Sequence, residues 1–216
     1  MKSQTLLVTL AVASLCSVAN GSITSASWHG DGDGAVQCSC AFAPASATLS
    51  MTGDQYWGPG HMNGSITTSS PQDPTLKLDS SVNNDTSFSW TSYQVNVYFS
   101  SLFTLPSVNV SAPSGWSVAS VSQPVTPLST GPYAGDYEGT ILYSGMPAIG
   151  IGQSIDFSYD MTFNGFTSFS FTQEMIPAGA VPESGSFGLI GSLALCAFAA
   201  GSRLRGWKGF GNTMQS

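Results

Sequence analysis

The sequence predicts an all-β fold, a single antiparallel β-sandwich of immunoglobulin-like or jelly-roll-like type. Three observations predict it. Apolar and polar residues alternate in short runs between Ser22 and Ile176. The runs are broken by Gly, Pro, Asn and Asp, the residues that turn a chain. No stretch of this region carries the three-to-four-residue apolar period of a helix. Alternation gives each strand one wet face. That suits an antiparallel sandwich and not the continuous apolar runs of a buried parallel sheet.

The clearest strand is Gln153 to Phe163, QSIDFSYDMTF. Ile155, Phe157, Tyr159, Met161 and Phe163 fall on one face, and Ser154, Asp156, Ser158, Asp160 and Thr162 on the other. Asn164-Gly165 follows and reads as a two-residue hairpin turn. It leads to a second alternating run, Thr167 to Glu174. Tyr93 to Ser100 puts Tyr93, Val95, Val97 and Phe99 on one side, and Ala35 to Phe42 does the same with Val36, Cys38, Cys40 and Phe42. Shorter strands are expected at 46–51, 65–68, 75–79, 107–110, 116–121 and 137–144. The Pro-rich stretch Gln123–Pro132 reads as a long loop. The domain is expected over residues 20–178, without an internal repeat.

The ends read differently. MKSQTLLVTLAVASLCSVANGS has a charged Lys2, an apolar run from Leu6 to Leu15, and small residues before a cut after Ala19. This is the pattern of an export signal over 1–19. Gly185 to Ser202 is apolar or small and uncharged. As a helix it reaches about 27 Å, near the lower limit for a bilayer span. Arg203 and Arg205 follow it as stop-transfer charges. The sandwich is thus expected between an N-terminal signal helix and a C-terminal transmembrane helix.

Charge excludes some partners. Asn20 to Ala180 holds eleven Asp and Glu against the single Lys77, a balance of −10. Nucleic-acid binding draws on Lys and Arg that this region lacks, and anionic lipid surfaces are disfavoured for the same reason. Cations, neutral glycans and protein surfaces are compatible with it.

Catalytic constellations are sparse, and no catalytic residue, metal or cofactor is assigned. The two histidines, His29 and His61, accompany no recognisable nucleophile motif. Asp156 and Asp160 lie four residues apart on one strand face, roughly 13 Å at strand rise, too far for a glycosidase pair. Asp136 and Glu138 sit in an apparent surface turn. Acids brought together from separate strands would make a hydrolase. Cys38, Cys40, His29 and His61 match no zinc spacing, and the cysteines read as small core hydrophobes. Asp31-Gly32-Asp33-Gly34 begins like a calcium loop, but Ala35 and Phe42 stand where it needs further oxygen ligands. Trp57, in the loop-like stretch QYWGPGHMNG, is the aromatic best placed to stack on a sugar.

The tail carries one resemblance. Val181-Pro182-Glu183, then a small-residue apolar run, then Arg203-Leu204-Arg205, resembles the PEP-CTERM sorting signal over 181–206. Ser184 stands where that family usually has a second proline, and ten residues, 207–216, continue past its usual end. The resemblance implies processing near Val181, Pro182 and Glu183 by an exosortase-like enzyme. It implies a membrane-anchored precursor, exported and then released to the cell surface or medium. The expected function is therefore a non-enzymatic, exported bacterial surface or matrix protein linked to biofilm or exopolysaccharide. The alternative is a glycan-binding β-sandwich module, with Trp57 as a contact. A secreted hydrolase is the second alternative.

Overall fold

The computed structural model describes residues 21–163 and 167–179. The chain divides into two units, Met1–Gly179 and Ala180–Ser216, and the described residues all belong to the first. They form eleven strands: β1 (Ile23–Gly30), β2 (Val36–Ala43), β3 (Thr48–Gln55), β4 (Gly60–Thr68), β5 (Thr75–Asn84), β6 (Trp90–Phe99), β7 (Phe103–Ala112), β8 (Trp116–Ser122), β9 (Tyr137–Ile149), β10 (Ser154–Phe163) and β11 (Ser168–Gly179). Six make one sheet in the order β1-β4-β11-β6-β9-β8, and five make another in the order β2-β3-β5-β10-β7.

The alternation that defines each strand also builds the core. Along β10 the odd-numbered residues from Ile155 to Phe163 are all buried, and the even-numbered ones are half-buried. Val95, Val97 and Phe99 of β6 and Phe169, Phe171 and Met175 of β11 supply the inner face of the other sheet. The two faces meet through rings: Phe99 lies 5.2 Å from Phe163, and Tyr93 lies 5.7 Å from Phe157, centroid to centroid. Burying such aromatics removes on the order of 150–250 Å² each from water, the main stabilising contribution of this layer. Trp28, Trp90 and Trp116 are buried with them.

Four expectations are corrected. The domain is not a purely antiparallel sandwich: β3 and β5 pair in parallel, Leu49 beside Leu78 and Met51 beside Ser80. The intervening β4 lies in the other sheet, so the chain leaves the five-stranded sheet and returns in the same direction. A parallel pair with one wet face alternates just as an antiparallel pair does, so the pattern could not distinguish them. Next, the runs on either side of Asn164-Gly165 are not a hairpin. β10 and β11 belong to different sheets, and Asn164 and Gly165 themselves lie outside the described residues. Third, β1 was not expected as a strand, and β4 starts at Gly60 and takes in His61, Met62 and Asn63, residues read as loop.

The fourth correction concerns the membrane. Among the described residues no helix is long and apolar enough to cross one. The expected signal helix at 1–19 and transmembrane helix at 185–202 fall outside the described residues. The described residues form an all-β domain, and nothing in them supports a membrane partnership through a helix, a membrane-anchored precursor, or a sorted surface or biofilm protein defined by that anchor, so these expectations are withdrawn.

Candidate functional site

The outer face of the six-stranded sheet carries a connected polar arrangement. Strand register sets it out in rows. His61 on β4 stands opposite Glu174 on β11, and Glu174 stands opposite Asn96 on β6. One step along, Asn63 faces Thr172, and Thr172 faces Tyr98. Because side chains alternate, these residues share the outer face while Met62, Gln173 and Val97 between them turn inward. Asp31 extends the first row from the end of β1, its backbone N–H donating to the His61 carbonyl at 3.2 Å.

Glu174 is the hub. Its Oε2 accepts from Asn96 Nδ2 and from the Tyr98 hydroxyl, both at 2.9 Å. Its Oε1 lies 3.4 Å from His61 Nε2. On the other side of the imidazole, Asp31 Oδ2 lies 3.6 Å from Nδ1. Thr172 Oγ1 donates to Asn63 Oδ1 at 3.1 Å. Gln94 donates to Asn96 Oδ1 at 2.9 Å and so fixes the amide that serves Glu174.

The long loop between β8 and β9 folds over part of this face. Tyr133 from that loop stacks on Tyr98 with centroids 3.9 Å apart and planes 16° from parallel. This explains why Asn96 and Tyr98, on an outer face, are nearly buried. Leu128 N–H donates to the Asp136 carbonyl and Gly135 N–H to the Leu128 carbonyl, so the loop is braced internally. Between loop and sheet a pocket of about 340 Å³ is lined by Asp31, His61, Asn63, Pro132, Tyr133 and Glu174. Burial, and then the Glu174 carboxylate, push the Tyr98 phenol well up from its ordinary value. Burial, and then Glu174, Asp31 and Asp136, push Tyr133 the same way. Both rings therefore stay neutral, able to donate one hydrogen bond and to stack.

Trp57 stands where the sequence placed it, exposed in the connection between β3 and β4 at 49 % of its surface. It lies against the turn that ends in Gly34: a Cβ added there would sit 3.2 Å from the indole. In that turn Asp31 Oδ1 accepts from Asp33 N–H at 3.0 Å and Asp33 Oδ1 from Ala35 N–H at 2.7 Å. Gly32 and Gly34 take φ of +91° and +88°, which glycine adopts without strain. The carboxylates thus shape the turn. Asp31, Asp33 and His61 bring ligand-type atoms within 4.8 Å of one another, but oxygens of both aspartates are committed to the turn.

Other expected sites are placed as follows. Asp156 accepts from Ser81 Oγ at 2.6 Å, and Asp160 lies in register with Lys77. They remain two separate positions on the outer face of the five-stranded sheet. Cys38 and Cys40 are half-buried against the core. Ala19, Val181, Pro182, Glu183, Arg203 and Arg205 lie outside the described residues. Sequence reasoning did not single out Glu174, Asn63, Asn96, Tyr98 or Tyr133. A signal was present, since the inward set Tyr93, Val95, Val97 and Phe99 assigns Asn96 and Tyr98 to the wet face.

The chain shows no match to a protein-family model, to a curated protein or to a solved structure.

Proposed function

We propose that this domain is a glycan-binding module that takes a neutral saccharide in the pocket between Tyr133 and the row Asp31–His61–Glu174. One observation carries the reading. Tyr133, held by its stack on Tyr98, and a fixed set of carboxylate, imidazole and amide groups line the same 340 Å³ pocket on the outer face of a sheet. Sugars present apolar C–H faces and hydroxyls that both donate and accept. Tyr133 answers the first, and Asp31, Glu174, His61 and Asn63 the second. The −10 balance over Asn20–Ala180 repels polyanions and leaves neutral glycans favoured. Trp57, across the Gly32–Gly34 turn from Asp31, offers a second exposed ring for a longer chain.

Binding is favoured over turnover because Glu174 already accepts two hydrogen bonds, from Asn96 and Tyr98, while its other oxygen lies against His61. Such a carboxylate is a fixed element of recognition and poorly free to move a proton. A hydrolytic reading draws support from one fact: Asp31 and Glu174 flank a single histidine within one pocket. The test is an array of neutral oligosaccharides and polysaccharides, followed by reducing-end release on every binder. Binding without release, weakened in Tyr133→Ala and Trp57→Ala, supports the module. Release that Glu174→Gln abolishes supports the hydrolase. Failure to bind any neutral glycan removes both.

A further inference from the structure

A second cluster lies away from this face, at the edge of the sandwich where β2 approaches β1. Cys38 and Cys40 occupy successive inward positions of β2, an edge strand. Both are free thiols and half-buried. Met62, inward on β4 of the opposite sheet, is fully buried. The Cys40 thiol donates to Cys38 Sγ at 3.8 Å, and the Cys38 thiol donates to Met62 Sδ at 3.7 Å. Three sulfurs from two sheets, 24 residues apart in sequence between Cys38 and Met62, thus meet in a chain.

We propose that Cys38, Cys40 and Met62 form a binding site for a soft monovalent metal ion, Cu(I), on their three sulfurs. Two of the three sulfur–sulfur separations match those of a coordinated set. A metal bonded to sulfur at about 2.3 Å holds its ligands about 3.8 Å apart in a tetrahedral array and about 4.0 Å apart in a trigonal one. The Cys40–Cys38 and Cys38–Met62 separations are within a few tenths of an ångström of these values. The ligand types choose the metal. Thiolate and thioether select Cu(I), whereas Mg²⁺, Ca²⁺ and Mn²⁺ take oxygen. Zinc sites are built from Cys, His and carboxylates, and the third ligand here is a thioether. The ion would replace the protons of the two S–H···S contacts. Binding forms three Cu–S bonds and breaks two S–H bonds. Both protons go to solvent, no electron is transferred, and the site passes from neutral to a net charge of −1. Gly53 makes room for the arrangement, since a Cβ there would come within 2.9 Å of Cys38 Cβ.

The test uses the full chain, reduced and anaerobic, titrated with Cu(I) held by a chromophoric chelator. The expected result is withdrawal of one Cu(I) per chain, with X-ray absorption showing three sulfur neighbours. Changing Cys16 and Cys196 together to serine leaves this unchanged. Cys38→Ser and Cys40→Ser each lose affinity by ~10-fold or more, at least the scale on which supporting groups alone act. Met62→Leu preserves core volume and reduces the sulfur neighbours from three to two. The proposal is overturned by no withdrawal of Cu(I), by equal withdrawal in Cys38→Ser, or by an unchanged metal environment in Met62→Leu.

Discussion

Glu174 and His61 face each other across β11 and β4, with Oε1 3.4 Å from Nε2. The other carboxylate oxygen holds Asn96 and Tyr98 of the next strand. One side chain therefore ties three strands together and shapes the pocket beside Tyr133. Its two tasks can be separated by substitution. Glu174→Ala removes the acceptor of the buried Tyr98 hydroxyl and the nearer of two acceptors of Asn96 Nδ2, which costs about 1–3 kcal/mol. Glu174→Gln keeps an acceptor oxygen and should cost less than half as much. Urea unfolding of both variants checks the order.

Two buried tyrosines should respond with opposite signs. The Tyr93 hydroxyl donates to Gln55 Oε1 at 2.7 Å, across the gap between the sheets. Gln55 Nε2 in turn donates to the carbonyls of Trp57 and Met175, both at 3.0 Å. Tyr93→Phe strands a buried acceptor and should lower stability by about 1–3 kcal/mol. The Tyr143 hydroxyl is buried with no hydrogen-bond partner, so Tyr143→Phe should be neutral or stabilising by up to about 1 kcal/mol. Chemical denaturation of the pair decides it.

Gly64 is fixed by an aromatic neighbour. A Cβ at this position would run into the Phe171 ring, which itself packs 6.0 Å from Trp28. Gly64→Ala should destabilise by about 1–3 kcal/mol through overpacking. Adding Phe171→Leu should recover part of that loss, which a double-mutant cycle would show as coupling.

Alkaline pH should unfold the domain. Burial, and then Cys38, push the Cys40 thiol up to about 12, and burial pushes Tyr93, Tyr143 and Tyr159 up as well. The folded state therefore holds protons that the unfolded chain releases earlier. The stability tied to these groups is whole below the ordinary thiol value and falls as pH rises through their folded values. Melting temperature should be flat with respect to these groups from pH 7 to about 8 and drop steeply above about 10, the ordinary phenol value. Replacing Cys40 by Ala should soften the first part of the fall.

Much of the fold was legible because it is local. The alternation in 153–163 and 93–100 names the inward residues of β10 and β6 correctly, and Trp57 stood out as an exposed ring. What the sequence hid is non-local. Whether β3 meets β5 in parallel, or β10 passes its successor to the other sheet, depends on which strands become neighbours, and each strand reads the same either way. The candidate site is of that kind. His61, Glu174 and Asn96 are each an ordinary wet-face residue, and only the register of β4, β11 and β6 sets them in a row. The segment HMNG concealed β4 because its inward partners are Gly60, Met62 and Gly64, with two glycines where strands usually carry branched or aromatic residues.

The most direct measurement is amide NMR mapping of the domain titrated with a neutral glycan found on the array. The account predicts shifts concentrated at His61, Asn63, Thr172, Glu174 and Tyr133, with at least ~10-fold weaker binding in Tyr133→Ala, a loss of about 1.4 kcal/mol. Shifts confined to the five-stranded sheet, or affinity unchanged in Tyr133→Ala, would contradict it.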